Sequence, residues 1–146
     1  MSESDDRLEI LELSARYARA LDHDLEMWSG LFTEDAVLDY PTEGKQKLLS
    51  PDEMKQHLAQ LHAQGMTSQH LMSNVFFDVD GNVASGHAEA RVLSCTPMPT
   101  SGEVEVIDRI ADYDDLYART ERGWRIARRR ANVRWANRQV LPADDD

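Results

Sequence analysis

In residues 7–22, RLEILELSARYARALD, the positions Leu8, Leu11, Ala15, Ala18 and Asp22 recur at helical spacing, with Ile10, Leu13, Tyr17 and Leu21 beside them. That period predicts an amphipathic helix whose first row is apolar except for its last member, Asp22. Asp24 then reads as the N-cap of a short helix through LEMWSGLF. TED reads as a turn, and AVLDYP as a short strand stopped by Pro41. TEGKQKLLS is a loop or a loose hairpin. Ser50 is placed to cap a third helix, with Pro51 at its first position and Glu53 three residues after the cap. That helix runs to about Gln64 and stops at Gly65.

Beyond Gly65 the period changes to two. Residues 68–79, 83–95, 104–119 and 124–137 predict strands, with turns at Asp80-Gly81-Asn82 and Glu121-Arg122-Gly123. The stretch TPMPTSGE between the middle pair is too rich in Pro, Ser and Gly to be regular and is a candidate flap. Helices followed by long antiparallel strands predict an α+β fold, with helices on one side of a curved sheet. The chain reads as one domain over 1–146, with frayed tails at 1–6 and 141–146. Within 68–79, strict alternation puts His70, Met72, Asn74 and Phe76 on one face, and Leu71, Val75, Phe77 and Val79 on the other. Both faces look buried, yet one carries an imidazole.

Composition narrows the partners. The 146 residues carry a formal net charge of −11 and a pI of about 4.8. That balance argues against nucleic acid and anionic membrane surfaces, which are bound mainly by positive charge. The single cysteine, Cys95, forms no internal disulfide, and no signal peptide or membrane-spanning run is visible, so a cytoplasmic protein is expected.

Candidate chemistry can be thinned in the same way. His57 and His62 lie about 140° apart around a helix, no Cys/His pair has zinc spacing, and no metal centre is expected. Alternation sends Arg128 and Arg130 to one face of the last strand and Arg129 to the other. The hairpin puts Asp114 or Asp115 opposite Arg130, depending on a one-residue choice of register, so cross-strand pairing is the default reading of this basic run. There is no Gly-rich nucleotide loop and no G-x-S-x-G elbow. Cys95 reads as a small core residue. His70 and Asp22 remain. Each has a plain structural reading, as a packed histidine and a helix-end carboxylate, just as Tyr17 and Tyr40 read as amphipathic core residues.

The stretches YARALDHDLEMWSGLFTEDAVLDY, HLMSNVFFDVDGNVASGHAEA and YDDLYARTERGWRIARRR, in this order, resemble the SnoaL-like group of polyketide cyclases and dehydratases. The group shares the cone-shaped nuclear transport factor 2-like fold and includes scytalone dehydratase, a bile-acid dehydratase and a hexachlorocyclohexane dehydrochlorinase. The resemblance implies three N-terminal helices in the concave face of a strongly curved, mostly antiparallel sheet. It also implies a catalytic Asp22–His70 pair, assisted by Tyr17 and Arg130. Trp28, Tyr40, Met72 and Phe76 would line an apolar pocket, with Asn74 bonding a substrate oxygen. The expected activity is a lyase or isomerase (dehydratase, elimination or cyclase type) acting on a small hydrophobic carbonyl- or hydroxyl-bearing molecule, such as a steroid, terpenoid or aromatic polyketide. The resemblance calls for no cofactor and no metal. A homodimer or homotrimer is expected, because the outer sheet face also looks apolar. The alternatives are a non-catalytic apolar-ligand-binding protein, a structural partner like a dioxygenase β-subunit, and an epoxide hydrolase-type enzyme using the same pocket.

Overall fold

The structure, a computed structural model, describes residues 2–142. Among these, α1 (Glu3–Asp22) and a short 3₁₀ helix (Leu25–Leu31) precede β1 (Phe32–Asp39) and β2 (Leu48–Leu49). Then come α2 (Pro51–Ala63), β3 (Thr67–Asp80), β4 (Val83–Pro97), β5 (Glu103–Thr120) and β6 (Gly123–Pro142). The strands form one curved six-stranded sheet in the order β2-β1-β6-β5-β4-β3. All neighbours are antiparallel except β1 and β6. The helices fill its concave face, as the order of elements predicts.

The ends are more ordered than expected. Residues Glu3–Asp6 form the first turn of α1, with Ser2 and Asp5 making a reciprocal capping box. Asp6 is buried: its carboxylate takes two hydrogen bonds from Arg119, each 2.7 Å, and one from Trp124 Nε1 at 3.0 Å. This clamp ties the start of α1 to the β5–β6 hairpin. At the other end β6 continues to Pro142; Met1 and residues 143–146 lie outside the described residues. The buried stripe of α1 is Asp6, Ile10, Leu13, Ser14, Tyr17, Ala20 and Leu21, while Leu8 and Leu11 of the expected row are exposed. Asp24 makes no side-chain cap bond, and Thr33-Glu34-Asp35 belongs to β1. Ser50 and Glu53 do form the capping box of α2. The expected flap is a tight hairpin, closed by Met98 N–H donating to Glu103 O at 2.8 Å and Gly102 N–H donating to Met98 O at 3.2 Å.

Bulges decide which side chains face the helices. Ser73 pairs with Glu89 and Phe76 with His87, so Asn74 and Val75 together oppose Ala88. Asn74 takes the left-handed conformation, φ 49°, which Asn tolerates better than most residues. Here the alternation changes phase: His70 and Met72 face in, but so do Val75, Phe77 and Val79, while Phe76 is 64% exposed on the outer face. Gly86 faces Phe77 beside the bulge. A Cβ there would lie 2.8 Å from Phe77 Cβ and 2.9 Å from Phe76 O, so the close approach requires glycine. In β6, Ile126 pairs with Tyr117 and Arg128 with Leu116, leaving Ala127 surplus. Trp124 and Ile126 face in before this bulge, Arg129 and Ala131 after it.

Candidate active site

Asp22 is the last residue of α1, and β3 passes directly beneath it. Ser68 and His70 are two residues apart on the inner face of that strand. Three donors converge on the Asp22 carboxylate. His70 Nδ1 is 2.7 Å from Oδ1, the His70 backbone N–H donates to Oδ2 at 2.7 Å, and Ser68 Oγ donates to Oδ1 at 2.8 Å. The two side chains are only 13% and 6% exposed. An ionised carboxylate here accepts, so Nδ1 carries the proton and Nε2 keeps its lone pair. Burial lowers the His70 pKa below the ordinary 6.5; the bond to Asp22 works the other way, and the nearby Arg109 and Arg129 charges add to the lowering. The imidazole is therefore neutral at pH 7.

His70 lines a cavity of about 310 Å³. Its wall is largely apolar: Leu21 and Trp28 on one side, Met54, Leu58 and Leu61 of α2 above, and Val92, Ala111 and Val133 from the sheet. Tyr17, Tyr40 and Tyr113 contribute hydroxyls, and His57, Ser68, Ser94 and Arg109 complete the polar groups. The Trp28 indole is fixed by its N–H bond to Pro51 O, 2.8 Å, and by tilted ring contacts with Tyr17 and Phe32. Tyr17 and Tyr40 share a hydroxyl–hydroxyl hydrogen bond of 2.5 Å, and the Tyr17 ring stands edge-on to His70 with centroids 6.3 Å apart. Burial pushes the pKa values of Tyr17, Tyr40 and Tyr113 well above 10, so these hydroxyls stay protonated and can donate.

Arg129 lies behind the tyrosines. Its guanidinium is completely buried, 4.3 Å from the Tyr17 ring centroid and 4.7 Å from that of Tyr113. Nε and Nη2 each donate to Asp115 at 2.8 Å, and Tyr117 donates to the same carboxylate at 2.6 Å. Nη1 has no hydrogen-bond partner among the described residues.

The expected site set is thus partly redrawn. Asp22, His70, Tyr17, Trp28 and Tyr40 come together around the cavity. Met72 is on the inner face but packs against the core and does not line the cavity. Asn74 and Phe76 face outward because of the bulge: Asn74 Nδ2 donates to Glu89 at 2.5 Å, and the Phe76 ring lies over His87 at 5.4 Å. Arg130 also faces outward. It sits opposite Asp114, with Nε 3.9 Å from Asp39 and a side chain 59% exposed. The Ala127 bulge gives the inward place to Arg129 instead. Ser68, two residues before His70, was within reach of simple alternation. Tyr113 and Arg109 share a phase on β5 and carry no local motif to mark them.

Two larger surface clefts, of about 580 and 560 Å³, lie between Ser29, Glu34, Ser50 and the β5–β6 turn, and across Phe76, His87 and Arg128. Neither contains an enclosed acid–base pair with an apolar wall, the combination that marks a small-molecule site. One group of potential metal ligands forms among the described residues: His87, Glu89 and Asp112 on the outer face. Arg134 already bridges two of them, with Nε 2.8 Å from Asp112 and Nη2 3.4 Å from Glu89.

Comparison with known proteins bears on the family and the fold. The SnoaL-like domain family matches residues 2–130. Uncharacterized protein Rv2910c of Mycobacterium tuberculosis H37Rv is 36% identical over 134 residues, spanning 88% of this chain and 86% of that protein. The Kfla4162 protein of Kribbella flavida superposes with a TM-score of 0.78 at 21% identity, covering 93% of this chain and 95% of the other. A hexachlorocyclohexane dehydrochlorinase (LinA) Type2 superposes with a TM-score of 0.68 at 16% identity, covering 97% and 94%. An α+β cone whose helices close over an inner-face His70, together with a family match along most of its length, makes this chain a member of the SnoaL-like family with the nuclear transport factor 2-like fold.

Proposed function

We propose that this protein is a cofactor-independent lyase or isomerase that removes a proton from carbon in a small, mostly apolar substrate. The observation that carries the reading is the 2.7 Å contact between His70 Nδ1 and Asp22 in the wall of the apolar cavity. Asp22 holds the tautomer that leaves Nε2 as the base, and its charge stabilises the imidazolium that forms. A base so positioned contributes roughly 10² to 10⁴ in rate. The hydroxyls of Tyr17, Tyr40 and Tyr113 are the donors available to an oxyanion or a departing hydroxyl. Elimination, double-bond shift and cyclisation all begin with this proton transfer. The dehydrochlorinase among the structural neighbours and the SnoaL-like family itself support the class of chemistry.

The first step can be tested before a physiological substrate is known. In D₂O, an apolar ketone such as 2-tetralone should exchange its α-hydrogens in the presence of the protein faster than in buffer. Mass spectrometry reads the label. Exchange should fall to background in His70→Ala, with circular dichroism unchanged. Undiminished exchange in that variant would remove His70 from the mechanism.

A further inference from the structure

Arg109 and Arg129 both stand on the inner face of the sheet, and they are treated differently. Arg129 is fully neutralised by Asp115. Arg109 lines the cavity, half-buried, and among the described residues no carboxylate lies within ion-pair distance of it. Nη1 donates to Ser94 Oγ at 3.3 Å, and Ser94 is a buried residue of the cavity wall. Burial lowers the pKa of this guanidinium; Tyr113 and Glu105 act the other way, but Glu105 is paired with Arg138 and lies beyond ion-pair distance of Arg109, so the cost of burial is not cancelled by direct pairing.

The register places this cation relative to the base. His70 pairs with Val92 and Val92 with Arg109, so the three stand in one row across β3, β4 and β5. With neighbouring strands about 4.8 Å apart, the His70 and Arg109 backbones are separated by roughly 10 Å. Ser68 and Ser94 pair in the next row, adding two hydroxyls to the same corner. One small molecule can reach both the imidazole and the guanidinium, with its hydrocarbon body against Trp28 and Leu58.

We propose that Arg109 is the anion anchor of this cavity and that its ligand is an apolar carboxylic acid, bound as the carboxylate. The guanidinium and Ser94 hold the acid group, and the opposite end of the molecule lies at His70. The position of the reacting carbon rests on the acid–base reading above; the anion preference does not.

The test is an equilibrium measurement that needs no turnover, so it and the deuterium-exchange test can fail independently. Binding of 2-naphthoate and of its neutral amide, 2-naphthamide, is followed by Trp28 fluorescence or calorimetry at about pH 8, where His70 is neutral. A net charge of −11 works against non-specific uptake of the anion. The carboxylate should bind at least about tenfold more tightly than the amide, the scale of charge-assisted hydrogen bonds. Arg109→Gln should abolish that preference, bringing carboxylate affinity to or below that of the amide, while an unchanged circular dichroism spectrum and melting temperature show that the fold is intact. Arg109→Lys should retain part of it. Equal affinities in the wild type, no saturable carboxylate binding at millimolar concentration, or a preference that survives Arg109→Gln would each overturn the proposal.

Discussion

Asp22 grips His70 at two points: one carboxylate oxygen accepts the residue's backbone N–H and the other its ring Nδ1, each at 2.7 Å. The first bond fixes where α1 ends relative to β3, and the second fixes the orientation of the ring. Replacing Asp22 by Asn keeps the shape but supplies an amide that cannot stabilise an imidazolium. Proton abstraction in Asp22→Asn should fall by about two to four orders of magnitude, comparable to the loss in His70→Ala. Deuterium exchange into a ketone measures both, and an Asn variant with near-normal rates would show that the carboxylate only holds the fold.

His70 should titrate below its ordinary value of 6.5, because burial lowers its pKa more than Asp22 raises it. The group is depressed on folding, so its contribution to stability is present above the unfolded-state pKa and is lost as pH falls through the folded one. Activity should follow the same acid limb, holding below pH 6.5 until the imidazole protonates. An NMR titration of the ring checks this directly. A folded-state pKa above 6.5 would contradict it.

Four tyrosines are all that the chain has, and burial raises the pKa of every one: Tyr17, Tyr40, Tyr113 and Tyr117. The native protein should therefore show almost no tyrosinate absorbance as pH passes 10. Because the unfolded chain loses these protons first, stability should be full below pH 10 and decline above it. Ultraviolet titration alongside circular dichroism checks the order: ionisation should accompany unfolding and not precede it.

Asp115 and Arg130 make a contrasting pair of variants. Asp115→Ala strands the buried Arg129 charge and should cost about 3–5 kcal/mol in urea denaturation. Arg130→Ala alters an exposed side chain with a distant partner and should stay within about 0.5 kcal/mol, with activity unchanged. A large catalytic loss in Arg130→Ala would restore it to the site.

The outer sheet face carries Leu71, Leu93, Leu116 and Trp135, each 40–54% exposed, among ion pairs such as Arg91–Asp108. We propose that this face joins two copies of the chain, the apolar side chains being covered in a homodimer. Light scattering at micromolar concentration should give twice the chain mass, and Trp135→Glu should return it to one.

The elements were legible in the sequence because their signals are local: a capping box at Ser50, hairpin turns at Gly81 and Gly123, and a change of period after Gly65. The inward phase of His70 was legible because no bulge intervenes between the start of β3 and His70, but its pairing with Asp22 came from the family resemblance, since local pattern left both residues with plain structural readings. What alternation could not carry was the phase beyond Asn74 and Ala127. Each bulge adds one residue without a Gly or Pro to announce it, so Phe76 and Asn74 were assigned to the wrong face, and Arg130, which the resemblance implied for the site, faces outward while Arg129 faces in. The tolerance of Asn for the left-handed region was the one available hint at Asn74. The buried row of α1 was also displaced, because Asp6, a polar residue, belongs to it through Arg119 and Trp124.

The surplus residues have a consequence for how the cavity arises. Asn74, Ala127 and Arg134 are each one residue more than the facing strand supplies, and such excess bends a strand and sharpens its twist. Removing Asn74 would let Val75 pair with Ala88 in an unbroken ladder. His70, Met72, Val75 and Phe77 would still face inward, so no wall residue would be exchanged. What would change is the concavity beneath α1 and α2. The hollow is in this sense a matter of chain arithmetic, written in the unequal lengths of neighbouring strands, and its size could drift through single insertions and deletions while the chemistry on its walls stayed the same.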